Sequence, residues 1–190
     1  RKNRTDLDSK NSSSTDMYLK HLESQEYFAL ELIRKRFPNT IMFSPKGNFI
    51  AYYTEKQWWV YDIQKRLYTC VTCSIPSNFY NEYYDKPGSI PPAASAWWSS
   101  DASSLFLSDT HDVWQFSTKG TTAKRITRGK EVGKVYRIYE SQLPSPPKAS
   151  YYGFQTRVVQ KHAKQLLFVK DLTTLGTGFA IMDVNLHVSP

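Results

Sequence analysis

Two cysteines three positions apart could support redox or metal chemistry. Cys70 and Cys73 form the motif CVTC, which is typical of redox-active dithiols and of one half of a zinc site. A redox pair normally opens a helix, whose N-terminus lowers the thiol pKa, whereas TCVTC is typical of a β-strand. A zinc site needs further ligands, and the histidines are scattered singly: His21, His111, His162 and His187. We therefore expect two small apolar strand residues here, with no metal and no cofactor.

A histidine followed by an aspartate is a second candidate, because a carboxylate can orient an imidazole for acid-base catalysis. In the internal alignment described below, however, His111 and Asp112 fall opposite positions 56–57 at a hairpin bend. A role in the turn is the simpler interpretation. Glu82 and Asp85 could form a carboxylate pair or a cation site, but an adjacent lysine and the lack of further ligands favour a solvated loop.

A serine nucleophile in a hydrolase requires a sharp turn with glycines two positions on either side of the serine. Among the eight glycines of the chain, only Gly129 and Gly133 have this separation, and Glu131 lies between them. The sequence therefore has no nucleophile elbow, and we expect no catalytic residue in this chain.

The formal charge of +8 and a pI near 9.4 would suit a polyanionic partner. The basic residues are spread along the chain, although one stretch contains five of them: Arg125, Arg128, Lys130, Lys134 and Arg137. Nucleic-acid binding is therefore a minor alternative, and a solvated basic surface is the simpler interpretation. No apolar run approaches the length that crosses a bilayer, so we expect no membrane span. Because the chain begins at Arg1, we expect it to be processed or trimmed.

The elements that would position any site are short strands. Tyr, Phe and Trp make up 15% of the residues, and aromatic side chains favour pleated sheets. At a shift of 55 residues, FSPKGN (43–48) aligns with WSSDAS (98–103), and WWVY (58–61) aligns with VWQF (113–116). Each copy predicts four strands: 40–44, 48–54, 57–62 and 67–73, then 95–99, 104–109, 112–117 and 123–127. Trp59 and Trp114 hold equivalent positions, so we expect both to pack between sheets.

A four-stranded antiparallel sheet cannot bury both faces alone, and stacked sheets of this kind form a β-propeller. We therefore predict an all-β fold, a partial β-propeller of four-stranded antiparallel blades with two complete and two partial blades. The predicted organisation is a mobile tail or loop at 1–16, the end of a blade at 17–37, a blade at 38–75, a connector at 76–94, a blade at 95–128, and a long loop with a partial blade at 129–190.

The connector at 76–94 is rich in proline and tyrosine and is far longer than a tight propeller turn. Long irregular loops in a compact all-β frame are more often functional than idle. The internal alignment does not account for its tyrosines, and exposed tyrosines suit recognition. We therefore expect contact with a partner or substrate through Tyr80, Tyr83, Tyr84 and Asp85.

The order of these motifs resembles the N-terminal β-propeller of bacterial prolyl oligopeptidase or dipeptidyl-peptidase family serine peptidases, in particular the large extracytoplasmic members of Bacteroidetes. The motifs are SPKG at 44–47, VYD at 60–62, NEYYDKPGSIPP at 81–92, SAWW at 95–98 and SDTHDVWQF at 108–116. The resemblance covers about 17–184 and is strongest at 40–128. Lys86 stands where relatives commonly have histidine, and Ala96 replaces a glycine.

The resemblance implies an α/β-hydrolase domain with a serine nucleophile, which this chain lacks. Aminopeptidase members also hold the free amine of the substrate with adjacent glutamates, and no two acidic residues are neighbours here. We therefore expect a non-catalytic, extracytoplasmic propeller segment that gates or orients peptide for a hydrolase domain. Its expected partners are missing blades and that domain, or further copies of itself. The alternative is a stand-alone protein-interaction propeller.

Overall fold

The chain folds into short antiparallel strands, described here from a computed structural model covering residues 15–35, 40–119, 122–140 and 156–184. The strands are β1 (Thr15–Lys20), β2 (Tyr27–Lys35), β3 (Ile41–Phe43), β4 (Phe49–Thr54), β5 (Gln57–Asp62), β6 (Leu67–Cys70), β7 (Trp97–Ser99), β8 (Ser104–Ser108), β9 (Val113–Ser117), β10 (Ala123–Arg125), β11 (Lys134–Ile138), β12 (Val158–Val159), β13 (Lys164–Asp171) and β14 (Thr177–Asp183). A 3-10 turn at Lys130–Val132 precedes β11. The predicted tail at 1–16 lies almost entirely outside the described residues.

The first complete blade is the sheet β3-β4-β5-β6, which we call the first blade. Its opening turn is SPKG, where the Gly47 N–H donates to the Ser44 carbonyl at 2.9 Å. Gly47 adopts a φ of 69°, which glycine reaches without steric cost. Two residues at positive φ, Glu55 and Lys56, form the tight hairpin between β4 and β5. The four predicted strands are all present, with bounds shifted by a few residues.

The second complete blade contains β7-β8-β9-β10, and β12 adds a fifth strand beside β7. This second blade is antiparallel except at that edge, where Val158 and Val159 pair in parallel with Trp98 and Ser99. Sequence patterns did not predict β12, because a two-residue strand has no detectable periodicity.

Two partial blades flank these sheets. Upstream, β1 and β2 form an antiparallel pair. Downstream, β13 pairs with β14 and β11 pairs with the other edge of β13, which gives a three-stranded sheet that we call the third sheet. The prediction of a long loop at the start of 129–190 is therefore wrong at Lys134–Ile138, which form a strand of the third sheet. Residues 141–155 lie outside the described residues.

Apolar cores lie between consecutive sheets of the described chain. The core between β1-β2 and the first blade contains Leu30, Ile41, Ile50, Tyr52 and Tyr61. The core between the first and second blades includes Met42, Ala51, Trp58, Val60, Trp98, Leu105, Leu107 and Phe116. The core between the second blade and the third sheet contains Phe106, Val113, Ile138, Val159, Leu167, Met182 and Val184. The protein is thus all-β, and its stacked sheets form a partial propeller.

Residues 55 positions apart occupy matching places in the two complete blades. Ile50 and Leu105 each face the preceding sheet, and Ala51 and Phe106 each face the following one. Trp59 and Trp114 both pack against the core on the preceding side. Alternating burial on both faces of a strand is what a central sheet of a stack requires.

Candidate contact surface on the connector

The connector, residues 76–94, is fastened to the blades by a buried aromatic ring. Phe79 is 1% exposed. Its ring meets Trp114 and Phe116 edge to face, with centroids 5.9 and 5.6 Å apart. Such edge-to-face pairs stabilise beyond the area that they bury. One residue of the connector is therefore a member of the core between the first and second blades.

The connector also folds back on itself. Tyr80 forms an antiparallel bridge with Pro92. The Asn81 N–H donates to the Pro91 carbonyl at 2.8 Å, and the Ala93 N–H donates to the Phe79 carbonyl at 3.0 Å. Residues 79–93 consequently form a closed lobe rather than an extended linker.

Polar contacts tie this lobe to the turn between β8 and β9. The Ser77 hydroxyl donates to the Asp109 carboxylate at 2.6 Å. Glu82 accepts hydrogen bonds from the Thr110 hydroxyl and, at 2.6 Å, from the Asn78 amide. Both bonds lower the pKa of Glu82, and the bond from Thr110 has the larger effect. Glu82 therefore serves as an anchor of the lobe.

A phenol from the first blade supports the returning limb of the lobe. The Tyr53 hydroxyl donates to the Ile90 carbonyl at 3.1 Å. Burial, and secondarily the proximity of Tyr80, raise the pKa of Tyr53, so its phenol stays protonated as the donor.

The four residues predicted to contact a partner all lie on this lobe, but their environments differ. Tyr83 is 79% exposed and Asp85 is also exposed. Tyr84 is half-buried, and its N–H donates to the Asn81 carbonyl. Tyr80 is half-buried against the core, with the Lys56 ammonium 4.9 Å from its ring centroid. Tyr83 and Asp85 are thus the accessible pair, while Tyr80 supports the lobe.

Sequence reasoning missed Asp109, which holds the lobe and the turn together. Asp109 is 6% exposed. It accepts from the Trp114 indole at 2.7 Å and from the His111 and Asp112 N–H groups at 2.8 and 2.6 Å, besides Ser77. The SDTHD motif carries a signal for this role, since an aspartate that opens a turn often accepts from the next backbone N–H groups.

The His111–Asp112 pair lies in the hairpin turn between β8 and β9. The Asp112 side chain is 1% exposed. It accepts from the Thr127 hydroxyl at 2.7 Å and from the Gly129 N–H, and Arg125 approaches it to 3.8 Å. Because the carboxylate oxygens of Asp112 accept from a backbone N–H and from Thr127, the geometry gives this side chain a structural role.

The five clustered basic residues do not form one open patch. Arg125 pairs with Glu131 and lies near Asp112. Arg137 donates to the carbonyls of Tyr136 and Thr110, and burial lowers its pKa. These contacts leave Arg128 and Lys130 as exposed cations of the set, with Lys134 half-buried.

Cys70 and Cys73 form a disulfide with their Cα atoms 5.7 Å apart. The prediction of two small apolar strand residues is wrong because β6 ends at Cys70, and the turn that follows brings Cys73 back beside it. In the described ranges, no group of three or more His, Cys, Asp or Glu side chains is arranged to hold a metal ion. Likewise, no helix among the described residues is long and apolar enough to cross a membrane.

Two of the solved structures that the chain resembles are peptidases of low sequence identity to it. No family model and no curated protein matches the chain. Dipeptidyl peptidase 4 of Porphyromonas gingivalis is 12% identical with a TM-score of 0.45, over 89% of this chain and 26% of that one. The tricorn protease is 9% identical with a TM-score of 0.22, over 90% of this chain and 20% of that one. The chain therefore spans about a quarter or less of the length of these structures.

Proposed function

We propose that the chain is a non-catalytic propeller segment of a serine peptidase-like protein, and that it gates or orients peptide for an α/β-hydrolase domain outside this chain. The contact surface is the exposed part of the connector lobe, with Tyr83 and Asp85 at its centre. The order of sequence motifs from SPKG to SDTHDVWQF supports the peptidase assignment.

The observation that carries the proposed contact role is the contrast within the lobe. Phe79 is buried in a core and Glu82 is anchored to Thr110, whereas neighbouring Tyr83 is 79% exposed. A tyrosine held on a supported loop offers a large contact area at little cost in conformational entropy. Such an arrangement suits recognition of a peptide or of another domain.

The absence of a nucleophile elbow from the sequence supports the non-catalytic part of the proposal. In addition, Asp112 is committed to Thr127 and to the Gly129 backbone rather than to an imidazole. A hydrolytic centre would therefore have to come from a different domain.

The outward faces of the two partial blades support the proposed partners. Tyr18 and Tyr27 of the β1-β2 pair are 62% and 65% exposed, and Phe179 and Ile181 of the third sheet are 60% and 65% exposed. Apolar sheet faces of this kind are normally covered in a stable protein. Further blades, or further copies of the chain, would cover them.

The disulfide supports an extracytoplasmic location, either periplasmic or at the cell surface. Disulfides form and persist in oxidising compartments and are rare in the cytosol. The Cys70–Cys73 bond is therefore consistent with export of the parent protein.

The first test is the reading frame of the encoding gene beyond Pro190. We expect it to continue into a hydrolase domain with a Gly-x-Ser-x-Gly elbow. A stop codon close behind Pro190 would contradict the peptidase assignment and favour the stand-alone interaction propeller.

The second test is kinetic and uses the parent protein. Tyr83→Ala is expected to raise KM for peptide substrates several-fold, because the lobe contacts substrate outside the chemical step. Leu22→Ala, at an exposed residue in the turn between β1 and β2, is the control and should leave KM unchanged. Equal kinetics for Tyr83→Ala and the unaltered protein would exclude the contact role of the lobe.

A further inference from the structure

The disulfide lies at a turn that also occurs in the second blade without a disulfide. At the shift of 55 residues, Cys70 and Cys73 correspond to Arg125 and Arg128. Equivalent positions have the same exposure, since Cys70 and Arg125 are half-buried while Cys73 and Arg128 are exposed. Cys70 pairs with Trp59 across the sheet, and Arg125 pairs with Trp114.

The hydrogen bonds that define the turn are the same in both blades. In the first blade, the Val71 N–H donates to the Trp58 carbonyl at 3.0 Å, and the Trp58 N–H donates to the Thr72 hydroxyl oxygen at 3.0 Å.

In the second blade, the Ile126 N–H donates to the Val113 carbonyl at 2.8 Å, and the Val113 N–H donates to the Thr127 hydroxyl oxygen at 3.0 Å. The second blade thus serves as an internal comparison, in which the same turn forms without a disulfide.

The disulfide is at an accessible position and closes a very short loop. Cys73 is exposed, and the loop closed by the bond contains only Val71 and Thr72 between the two cysteines. Loop-closure entropy grows with loop length, so such a short loop restricts the unfolded chain little. A structural disulfide would instead be expected to link distant segments.

We propose that the Cys70–Cys73 disulfide is a reversible redox modification site, which an external dithiol reduces while the first blade stays folded. The accessible sulfur is that of Cys73, and the site accepts electrons from a reductant rather than acting as an oxidoreductase. This inference does not depend on the proposed peptidase role.

The exchange balances with a dithiol as the reductant. One thiolate of the dithiol attacks Cys73 Sγ, the Cys70–Cys73 bond breaks, and Cys70 leaves as a thiolate. The second thiol of the reductant, after losing its proton, attacks the mixed disulfide and releases Cys73 as a thiolate. The two electrons come from the dithiol, which becomes a cyclic disulfide, and both cysteine thiolates take up protons from water according to pH.

The expected structural effect is local to the entrance of the connector. The Cys73 N–H donates to Cys70 Sγ at 3.1 Å, and the Ile75 N–H donates to the Thr72 carbonyl at 3.0 Å. Reduction breaks the covalent link between residues 70 and 73, while the Val71 and Thr72 contacts hold the end of the blade. Reduction therefore changes the conformational freedom of the residues that lead from β6 into the connector.

The test is reduction of the native chain by dithiothreitol, followed by quenching with iodoacetamide and mass spectrometry. We expect two alkylated cysteines without denaturant, at a rate that rises in proportion to dithiothreitol and is unaffected by urea below the unfolding transition. Near-ultraviolet circular dichroism should be retained. A rate that saturates with dithiothreitol, or increases steeply with urea, would show that reduction requires unfolding and would overturn the proposal.

A variant provides an independent measurement. Cys70→Arg with Cys73→Arg copies the second blade onto the first, and it should fold with a Tm within a few degrees of the unaltered chain. Cys70→Ser with Cys73→Ser is the matched variant without added charge. If the unaltered chain loses its near-ultraviolet signal on reduction and both variants fail to fold, the bond is structural and the proposal is wrong.

Discussion

At the scale of single residues, carboxylates organise turns. Asp109 and Asp112 are buried and Asp101 is half-buried, and each accepts several hydrogen bonds from backbone or side-chain donors. A buried donor that loses its acceptor costs more than the bond itself contributes, because its desolvation is no longer offset. Loss of one such carboxylate should therefore destabilise the whole turn that it organises.

Asp109→Ala is expected to destabilise the chain by about 2–4 kcal/mol, because it leaves the donors of Ser77, His111, Asp112 and Trp114 without their acceptor. Urea unfolding followed by tryptophan fluorescence measures the change. Asp85→Ala, at an exposed site on the lobe, should change the free energy of unfolding by less than about 0.5 kcal/mol. Equal effects of the two substitutions would contradict the anchoring role of Asp109.

Asp101 gives a pH dependence. Burial opposes its ionisation, but hydrogen bonds from Lys161 at 2.5 Å and from Ser99 and Ser103 outweigh burial and hold its pKa well below the usual value. A carboxyl whose pKa is lower in the folded state stabilises that state above its unfolded pKa of about 3.9, and the stabilisation is lost as pH falls towards the folded pKa.

Asp101→Asn should therefore be less stable than the unaltered chain at pH 7. The difference in Tm should shrink as pH falls below about 4. Thermal unfolding from pH 7 to pH 2 measures both curves. Parallel curves over this range would show that the Asp101 interactions do not stabilise the fold through its charge.

At the scale of elements, each complete blade fastens its outer strand to its third strand with a threonine. The Thr72 hydroxyl accepts from the Trp58 N–H and donates to Gln57 at 2.5 Å. The Thr127 hydroxyl accepts from the Val113 N–H and donates to Asp112 at 2.7 Å. The two threonines thus satisfy a backbone donor at the start of β5 and of β9.

Thr72→Val and Thr127→Val should each lower the free energy of unfolding by about 1–3 kcal/mol, because valine keeps the volume but removes both hydrogen bonds. Chemical denaturation of each single variant measures the loss. Thr177→Val on β14, at an exposed position, is the control and should change stability by less than about 0.5 kcal/mol. A neutral effect at both Thr72 and Thr127 would show that the hydroxyls are dispensable.

At the scale of the whole molecule, each described sheet covers its neighbour, and the outward faces of the end sheets remain open. In the third sheet, Leu167 and Met182 face the second blade, so the alternate residues Phe179 and Ile181 point away from it. The seven-residue strand β14 also lies at a sheet edge, where unpaired backbone groups can join another chain.

We therefore expect the isolated chain to self-associate as its concentration rises. Phe179→Lys with Ile181→Lys should reduce this association, because lysines on the open face oppose packing and edge pairing. Size-exclusion chromatography with light scattering over a range of concentrations measures the apparent mass. Leu22→Lys, at an exposed residue in the turn between β1 and β2, is the control and should associate as the unaltered chain does.

Patterns local in sequence predicted the strands of the complete blades. The SPKG turn, the apolar run FIAYYT and the aromatic QWWVYD each depend on neighbours within a few residues, so the bounds of β3–β6 lay close to expectation. By contrast, β11 pairs with β13 about 30 residues later, and β12 pairs with β7 about 60 residues earlier. Neither strand has a local period strong enough to identify it.

The candidate site divides in the same way. Composition, length and the internal alignment identified the connector and its four residues, but burial distinguished them, since Tyr80 supports the lobe while Tyr83 is exposed. Three donors of Asp109 lie within five residues of it and give the turn a local signal. Its link to the lobe was missed because the fourth donor, Ser77, lies 32 residues away.

What the sequence by itself determined is the all-β class, the strands of the two complete blades and the absence of a nucleophile elbow. Each follows from residue types at short separations, where backbone propensity and side-chain alternation act directly. Only the tertiary structure decided the Cys70–Cys73 bond, the strands β11 and β12, and which tyrosine of the connector is accessible. The strands β11 and β12 and the exposure of each tyrosine depend on contacts between segments far apart in sequence, whereas the disulfide depends on the turn that follows β6.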